Sequence, residues 1–151
     1  MNEEGRVTIR RLNTGVLGLD VVLGGGLPEF SLNLLCGGPG TGKTTLAHQI
    51  VFANAGPDRR VLYFSLLGEP PLKMLRYQQQ FTFFDHAKIN ESIRFFYISH
   101  EVMERGLNAV LEKIVHEVEV SAPGIVIVDS FRAVVRADVS LEAGELELQP
   151  F

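Results

Sequence analysis

An α/β fold, with a mainly parallel sheet covered on both faces by helices, is what this sequence of 151 residues predicts. Three observations carry that prediction. Short apolar runs of strand length alternate along the chain with helical periodicities. A glycine-rich stretch, Gly37-Gly38-Pro39-Gly40-Thr41-Gly42-Lys43-Thr44, stands between one such run and one such helix. Further on, Ile125-Val126-Ile127-Val128 is apolar throughout and closes on Asp129.

Taken in order, residues 1–12 set Val7, Ile9 and Leu12 among polar neighbours, which reads as a short edge strand or an extended arm. Residues 20–23 have the length of a single helical turn, stopped by Gly24, Gly25 and Gly26, whose loop is expected to need unusual backbone angles. Residues 31–36 (SLNLLC) form an apolar-rich run that ends at the first glycine of the glycine-rich stretch, and they read as a strand. Residues 43–55 follow as a helix with Leu46, Ala47, Ile50, Val51 and Ala55 near helical spacing, broken by Gly56-Pro57-Asp58. The continuous apolar run 61–67 suits a buried parallel strand. Pro70 and Pro71 suit the first turn of the next helix, and Phe81, Phe83 and Phe84 read as a core aromatic cluster. Residues 93–99, rich in aromatic and β-branched side chains, are another strand. The clearest helix covers 104–121, with Leu107, Val110, Leu111, Ile114, Val115 and Val118 on one apolar face. Ala122-Pro123-Gly124 stops it before the run that ends in Asp129, and 138–151 reads as a polar, acidic tail. This describes one domain: an N-terminal arm and lead-in over 1–30, a core over 31–136, and a tail over 137–151.

Composition narrows the class. With 46% hydrophobic and 21% charged residues, the chain is that of an ordinary globular protein rather than a disordered one. The formal net charge of −4 exerts no general pull towards nucleic acid. Arg6, Arg10 and Arg11 near the start, and Arg132 and Arg136 near the end, read as solvated surface charge. No apolar run reaches the roughly 18 residues of a membrane span, and the acidic N-terminus lacks a signal-peptide layout. A soluble, cytoplasmic protein with no membrane partner is expected. Cys36 has no second cysteine to pair with, and its strand position predicts a small buried side chain. His48, His86, His100 and His116 show no ligand-like spacing and read as ordinary surface or helix-face residues.

The chemistry concentrates at the glycine-rich stretch. It spells G-x-x-x-x-G-K-T, the Walker A phosphate-binding loop, in the strand–loop–helix setting that the motif requires. Glycines permit the positive φ angles by which successive N–H groups turn inward to cradle phosphate oxygens. Gly38, Pro39, Gly40, Thr41, Gly42, Lys43, Thr44 and Thr45 are the expected nucleotide-binding residues. Lys43 would reach the β- and γ-phosphates, Thr44 would ligate Mg²⁺, and the following helix would aim its positive end at the same anion. Four apolar residues followed by Asp129 form a Walker B pattern, whose carboxylate helps to hold Mg²⁺. Glu69, just beyond the strand of 61–67, is the candidate to orient the attacking water. The competing reading is that Glu69 begins the next helix and favours its dipole. Expected ligands are thus ATP or ADP with Mg²⁺.

Together the motifs resemble the RecA superfamily, and within it the KaiC/RadA-like ATPases. The resemblance rests on Thr14-Gly15, Gly18-Leu19-Asp20, the Leu23-Gly24-Gly25-Gly26-Leu27-Pro28 lead-in, Walker A, the strand ending near Glu69, and Ile125 to Ser130. It implies a three-layer P-loop NTPase fold and an oligomeric ATPase, ring or filament, with ATP at subunit interfaces. The family places its catalytic glutamate just after the second core strand, often as an acidic pair; here only Glu69 is present. Where the family has glycine before the serine of the phosphate-loop strand, this chain has Phe30, which is expected to alter the local turn. Family members continue past Walker B, and one later strand lies between the Walker A and Walker B strands. The sheet is therefore expected to be incomplete at the C-terminus, as in a truncated chain. Three functional readings follow: a Mg²⁺-dependent ATPase, with Lys43 and Glu69 in catalytic roles; a nucleotide-dependent switch or scaffold that barely turns over; and an ATP-dependent DNA recombination or repair protein, which the acidic charge does not favour.

Overall fold

The structure is a computed structural model that describes residues 8–66 and 71–130, with Pro71 and residues 99–107 described by their backbone only. Residues 1–7 of the expected arm, the expected catalytic Glu69, Arg132, Arg136 and the acidic tail lie outside the described residues. The chain divides into two compact units, Met1–Asn54 and Ala55–Phe151.

In the first unit, strand β1 (Arg11–Leu12) pairs antiparallel with β2 (Leu27–Pro28), Arg11 opposite Pro28 and Leu12 opposite Leu27. Between them the expected single turn is present as α1 (Leu19–Val22), and the glycines after it take φ of +67°, +110° and +110°. Gly26 is the most constrained of the three, because a Cβ there would collide with the Leu12 carbonyl oxygen. The Arg11 guanidinium closes the loop by donating to the carbonyls of Leu23 and Gly26, each at 2.9 Å. Arg11, read as solvated surface charge, is therefore a loop fastener.

Residues 31–36 differ from expectation. They form no ladder among the described residues, and Leu32 and Leu34 are 99% and 79% exposed. An apolar-rich run records a capacity to pair; whether it pairs depends on a neighbouring strand. Cys36, predicted buried on the strength of that strand, is exposed for the same reason. Helix α2 (Lys43–Asn54) begins on the lysine of the glycine-rich loop, as expected. Its buried side chains are Ala47, His48, Ile50, Val51 and Phe52, so His48 belongs to the buried face and not to the surface.

The second unit is built on a parallel sheet of order β4-β3-β5, comprising β3 (Val61–Ser65), β4 (Ile93–Tyr97) and β5 (Ile125–Asp129). Both neighbours run parallel to β3, pairing Val61 with Ile93 and Ile125 at one end and Ser65 with Tyr97 and Asp129 at the other. A strand flanked on both sides needs apolar residues on both faces, which accounts for the unbroken apolar run and for the burial of all five β3 residues. Strand β4 starts at its predicted residue and stops two residues short of its predicted end, and β5 covers its predicted span. Helix α3 (Pro71–Gln78) starts on proline, as expected. The aromatic cluster after it is not core: Phe81 and Phe83 stack at 5.2 Å between centroids but stay half-buried, shielding each other in a turn.

Helix α4 (Ser99–Ser121) connects β4 to β5 and starts earlier than the periodicity predicts. Its Val110 joins Leu62, Phe64, Leu66 and Ile98 in the buried cluster, with Ile114 and Val118 at the margin. Leu111 and Val115, read as part of the same apolar face, are 44% and 53% exposed. Among the described side chains of α4, which do not include Leu107, the contact stripe is the narrower Val110, Ile114, Val118 row, at the spacing of four residues that stacks side chains one above the other.

Candidate functional site

The glycine-rich loop has the backbone geometry that its residues permit. Gly40 and Gly42 take φ of +74° and +82°, and a Cβ built at either would meet nothing within 4 Å. The constraint at these two positions is therefore conformational, and the space above them is open. The Gly42 carbonyl accepts from the Leu46 amide at 2.8 Å, which makes Gly42 the cap of α2 and turns the first-turn amides out of the helix end. No acidic residue occupies that first turn, so the positive end of the helix dipole has no carboxylate of its own.

Lys43 folds back over the loop. Its ammonium donates to the carbonyls of Gly37 at 3.0 Å and Gly38 at 2.7 Å, and lies 3.5 Å from the Thr41 hydroxyl. All three partners are neutral oxygens, weaker acceptors for a cation than an anionic oxygen would be. Thr41 in turn donates its hydroxyl to the Gly38 carbonyl at 2.9 Å. Gly38, Pro39, Gly40, Thr41, Gly42 and Thr44 are exposed, and Lys43 and Thr45 are partly so.

The lead-in clasps α2, a connection that periodicity could not reveal. Asp20 accepts from the Thr14 amide at 2.8 Å, holding α1 to the segment before it, while Thr14 itself is fully buried. From the helix side, Gln49 donates to the Gly15 carbonyl at 2.6 Å and Asn54 to the Asn13 carbonyl at 2.7 Å. Gly15 takes φ of +70°, and a Cβ on it would stand 2.7 Å from the Ala53 Cβ. The Thr14-Gly15 and Gly18-Leu19-Asp20 pieces thus serve to seat the helix whose N-terminus is the glycine-rich loop. Phe30, at φ of +57° and fully exposed, holds a left-handed turn without a glycine.

In the second unit the carboxyl ends of the three strands carry a polar row, Tyr97, Ser65 and Asp129, in direct register. Pairing persists past the strand ends, the Leu66 amide donating to the Asp129 carbonyl at 2.7 Å and the Ile98 amide to the Ser65 carbonyl at 3.1 Å. The Asp129–Ser130 peptide is cis. Asp129 is half-buried, and Tyr63 donates its hydroxyl to Asp129 Oδ2 at 2.7 Å. Tyr63 is fully buried, and that burial, together with the charge of Asp129, pushes its phenol far above the usual tyrosine range. It stays a protonated donor at any working pH. Sequence reading missed Tyr63; the one signal was a hydroxyl inside the otherwise apolar Val61-Leu62-Tyr63-Phe64 run. Among the described residues no group of three or more His, Cys, Asp or Glu could hold a metal ion. Among them too, no helix is long and apolar enough to cross a membrane.

This arrangement has counterparts. The sequence profile of the KaiC ATPase matches residues 12–143, from the start of the lead-in to beyond Asp129. The chain belongs to the KaiC ATPase family. Among its relatives, the DNA repair and recombination protein RadB of Pyrococcus furiosus is 36% identical over 91% of this chain and 58% of its own length. A UPF0273 protein of Methanocaldococcus jannaschii is 33% identical over 71% of this chain and 44% of its own length. The DNA repair protein RadA of Listeria monocytogenes is 30% identical over 92% of this chain and 27% of its own length. The chain thus spans between about a quarter and three-fifths of these relatives. Its α/β architecture, with a three-stranded parallel sheet, is that of a KaiC/RadA-like member of the RecA superfamily.

Proposed function

We propose that this KaiC-family chain binds ATP at the glycine-rich loop and takes part in Mg²⁺-dependent ATP hydrolysis. The observation that carries the reading is the loop itself: two positive-φ glycines open to solvent at the acid-free start of α2, with the Lys43 ammonium on neutral carbonyls. An anionic phosphate oxygen outcompetes those carbonyls for the ammonium, and the turned-out amides supply further donors. Gly38 to Gly42, with Thr44 and Thr45, would line the phosphates, and Lys43 would neutralise charge developing on the transferred group.

The donor chemistry fits Mg²⁺: Thr44 offers a hydroxyl and Asp129 a carboxylate, both hard oxygen ligands. When bound, the ion polarises the β- and γ-phosphates and offsets their charge. Asp129, held by Tyr63, is assigned to support the ion, and Glu69 to orient the attacking water. Catalysis of this kind is positioning and charge stabilisation, with little covalent work for the protein. A homo-oligomer, ring or filament, and a cytoplasmic location complete the proposal. The match to RadB over nearly the whole chain supports a second reading, an ATP-dependent role on DNA. Salt-sensitive, ATP-dependent binding to single-stranded DNA would favour that reading.

Replacing Lys43 by Ala removes the one cation on the loop, and the expected result is a loss of ATP affinity of about a hundredfold or more, read by titration with a fluorescent ATP analogue. Affinity unchanged from the parent chain would overturn the assignment.

A further inference from the structure

The Tyr63 hydroxyl stands out in the second unit. Its register partner on β4 is a phenylalanine, Phe95, which packs against Tyr63 with centroids 5.3 Å apart and carries no polar atom, while Phe64 and Phe96 stack on the opposite face of the sheet. A hydroxyl buried to zero exposure brings a desolvation cost that a phenylalanine would avoid, unless it is matched by a good acceptor. Here the acceptor is the carboxylate at the end of the neighbouring strand, two residues beyond Ile127, the register partner of Tyr63, and on the same face, at 2.7 Å. An O–H donating to a carboxylate is among the stronger neutral-to-ion hydrogen bonds.

The donor is also rigid. Its ring is held on β3, the central strand, with paired backbones on both sides. The last torsion of an aspartate is otherwise broad and roughly two-fold, so an exposed carboxylate at a strand end samples a range of orientations. A fixed donor on Oδ2 selects one of them.

We propose that Tyr63 is a positioning residue for divalent-cation binding, setting the orientation of the Asp129 carboxylate through its hydrogen bond to Oδ2. This rests on the assignment of Asp129 to the ion, and extends it to a residue that touches neither nucleotide nor metal. Partners that orient metal-supporting carboxylates and imidazoles typically change metal affinity by about ten- to a hundredfold when removed.

The test is the magnesium response of nucleotide binding. Affinity for a fluorescent ATP analogue is titrated with Mg²⁺, and measured separately in EDTA, for the parent chain, Tyr63→Phe, Asp129→Asn and the double variant. Tyr63→Phe keeps the ring and its packing. The expected result is a Mg²⁺ midpoint raised about tenfold, an unchanged affinity in EDTA, and no added effect of Tyr63→Phe on the Asp129→Asn background. A parent-like midpoint in Tyr63→Phe, with the response lost in Asp129→Asn, overturns the role of Tyr63 alone. An equal loss of affinity with and without Mg²⁺ marks a merely structural hydroxyl and overturns it too. A parent-like response in Asp129→Asn removes the metal role of Asp129, and this inference with it. Should Tyr63→Phe not fold, ¹⁹F NMR of the Tyr77→Phe, Tyr97→Phe chain labelled with 3-fluorotyrosine replaces it. There the single resonance is expected to move when Mg²⁺ is added to the nucleotide-bound protein, and an unmoved resonance overturns the proposal.

Discussion

The lead-in and loop of the first unit and the sheet of the second are held by opposite means. In the sheet, Leu62, Phe64 and Leu66 are buried against Ile98 and Val110, and Phe64 stacks on Phe96 at 4.9 Å. Stability there comes from apolar area removed from water, which is non-directional and tolerant of small shifts. In the lead-in, the work falls to directed bonds, Arg11 on two carbonyls, Asp20 on Thr14, Gln49 and Asn54 on the segment before α1, and to glycines at positive φ. Such a network specifies geometry closely while burying little. The difference shows where each kind of construction is used: burial for the sheet, directed bonds for the segment that seats α2 and its glycine-rich loop.

That contrast can be broken most forcefully in the sheet. Phe64→Ala empties the centre of the cluster and is expected to cost about 3–5 kcal/mol. Hydrogen exchange read residue by residue should show protection lost across β3, β4 and β5, with the amides of the β1–β2 hairpin unaffected. Protection retained in the sheet would show that burial there is not what holds it. Next in size is Gly26→Ala, which combines φ of +110° with a Cβ driven into the Leu12 carbonyl, for an expected cost of about 2–3 kcal/mol. Its signature is the reverse, faster exchange around Leu12 and Leu27 with the sheet intact. The smallest effect, and of opposite sign, is expected at Phe30. A left-handed phenylalanine with a fully exposed ring carries strain and contributes no packing, so Phe30→Gly should stabilise the first unit. The gain is limited to about 1 kcal/mol, because glycine also gains freedom in the unfolded chain. A thermal or urea melt that moves downwards would mean the exposed ring has a role the turn alone does not explain.

Much of this was readable from the residues in order. The span of α2, the single turn before the glycines, the positive φ values that follow it, the proline start of α3 and the apolar run of β3 all reflect chemistry within a few residues: spacing, capping and the missing Cβ of glycine. The glycine-rich loop belongs with them, because its geometry is built from consecutive backbone units. Residues 31–36 and Cys36 went the other way, since a strand exists only when another strand pairs with it.

What the sequence determined by itself, then, is the set of local elements and the loop at Gly37 to Thr44, which need no distant partner to take shape. The tertiary structure decided the order β4-β3-β5, the division of the α4 stripe into buried Val110 and half-exposed Leu111 and Val115, and the clasp of Asn13 and Gly15 onto α2. It also decided the bond from Tyr63 to Asp129, between side chains 66 residues apart in sequence. The physical reason is the same in each case: these depend on which surfaces meet, and no run of neighbouring residues encodes its distant partner.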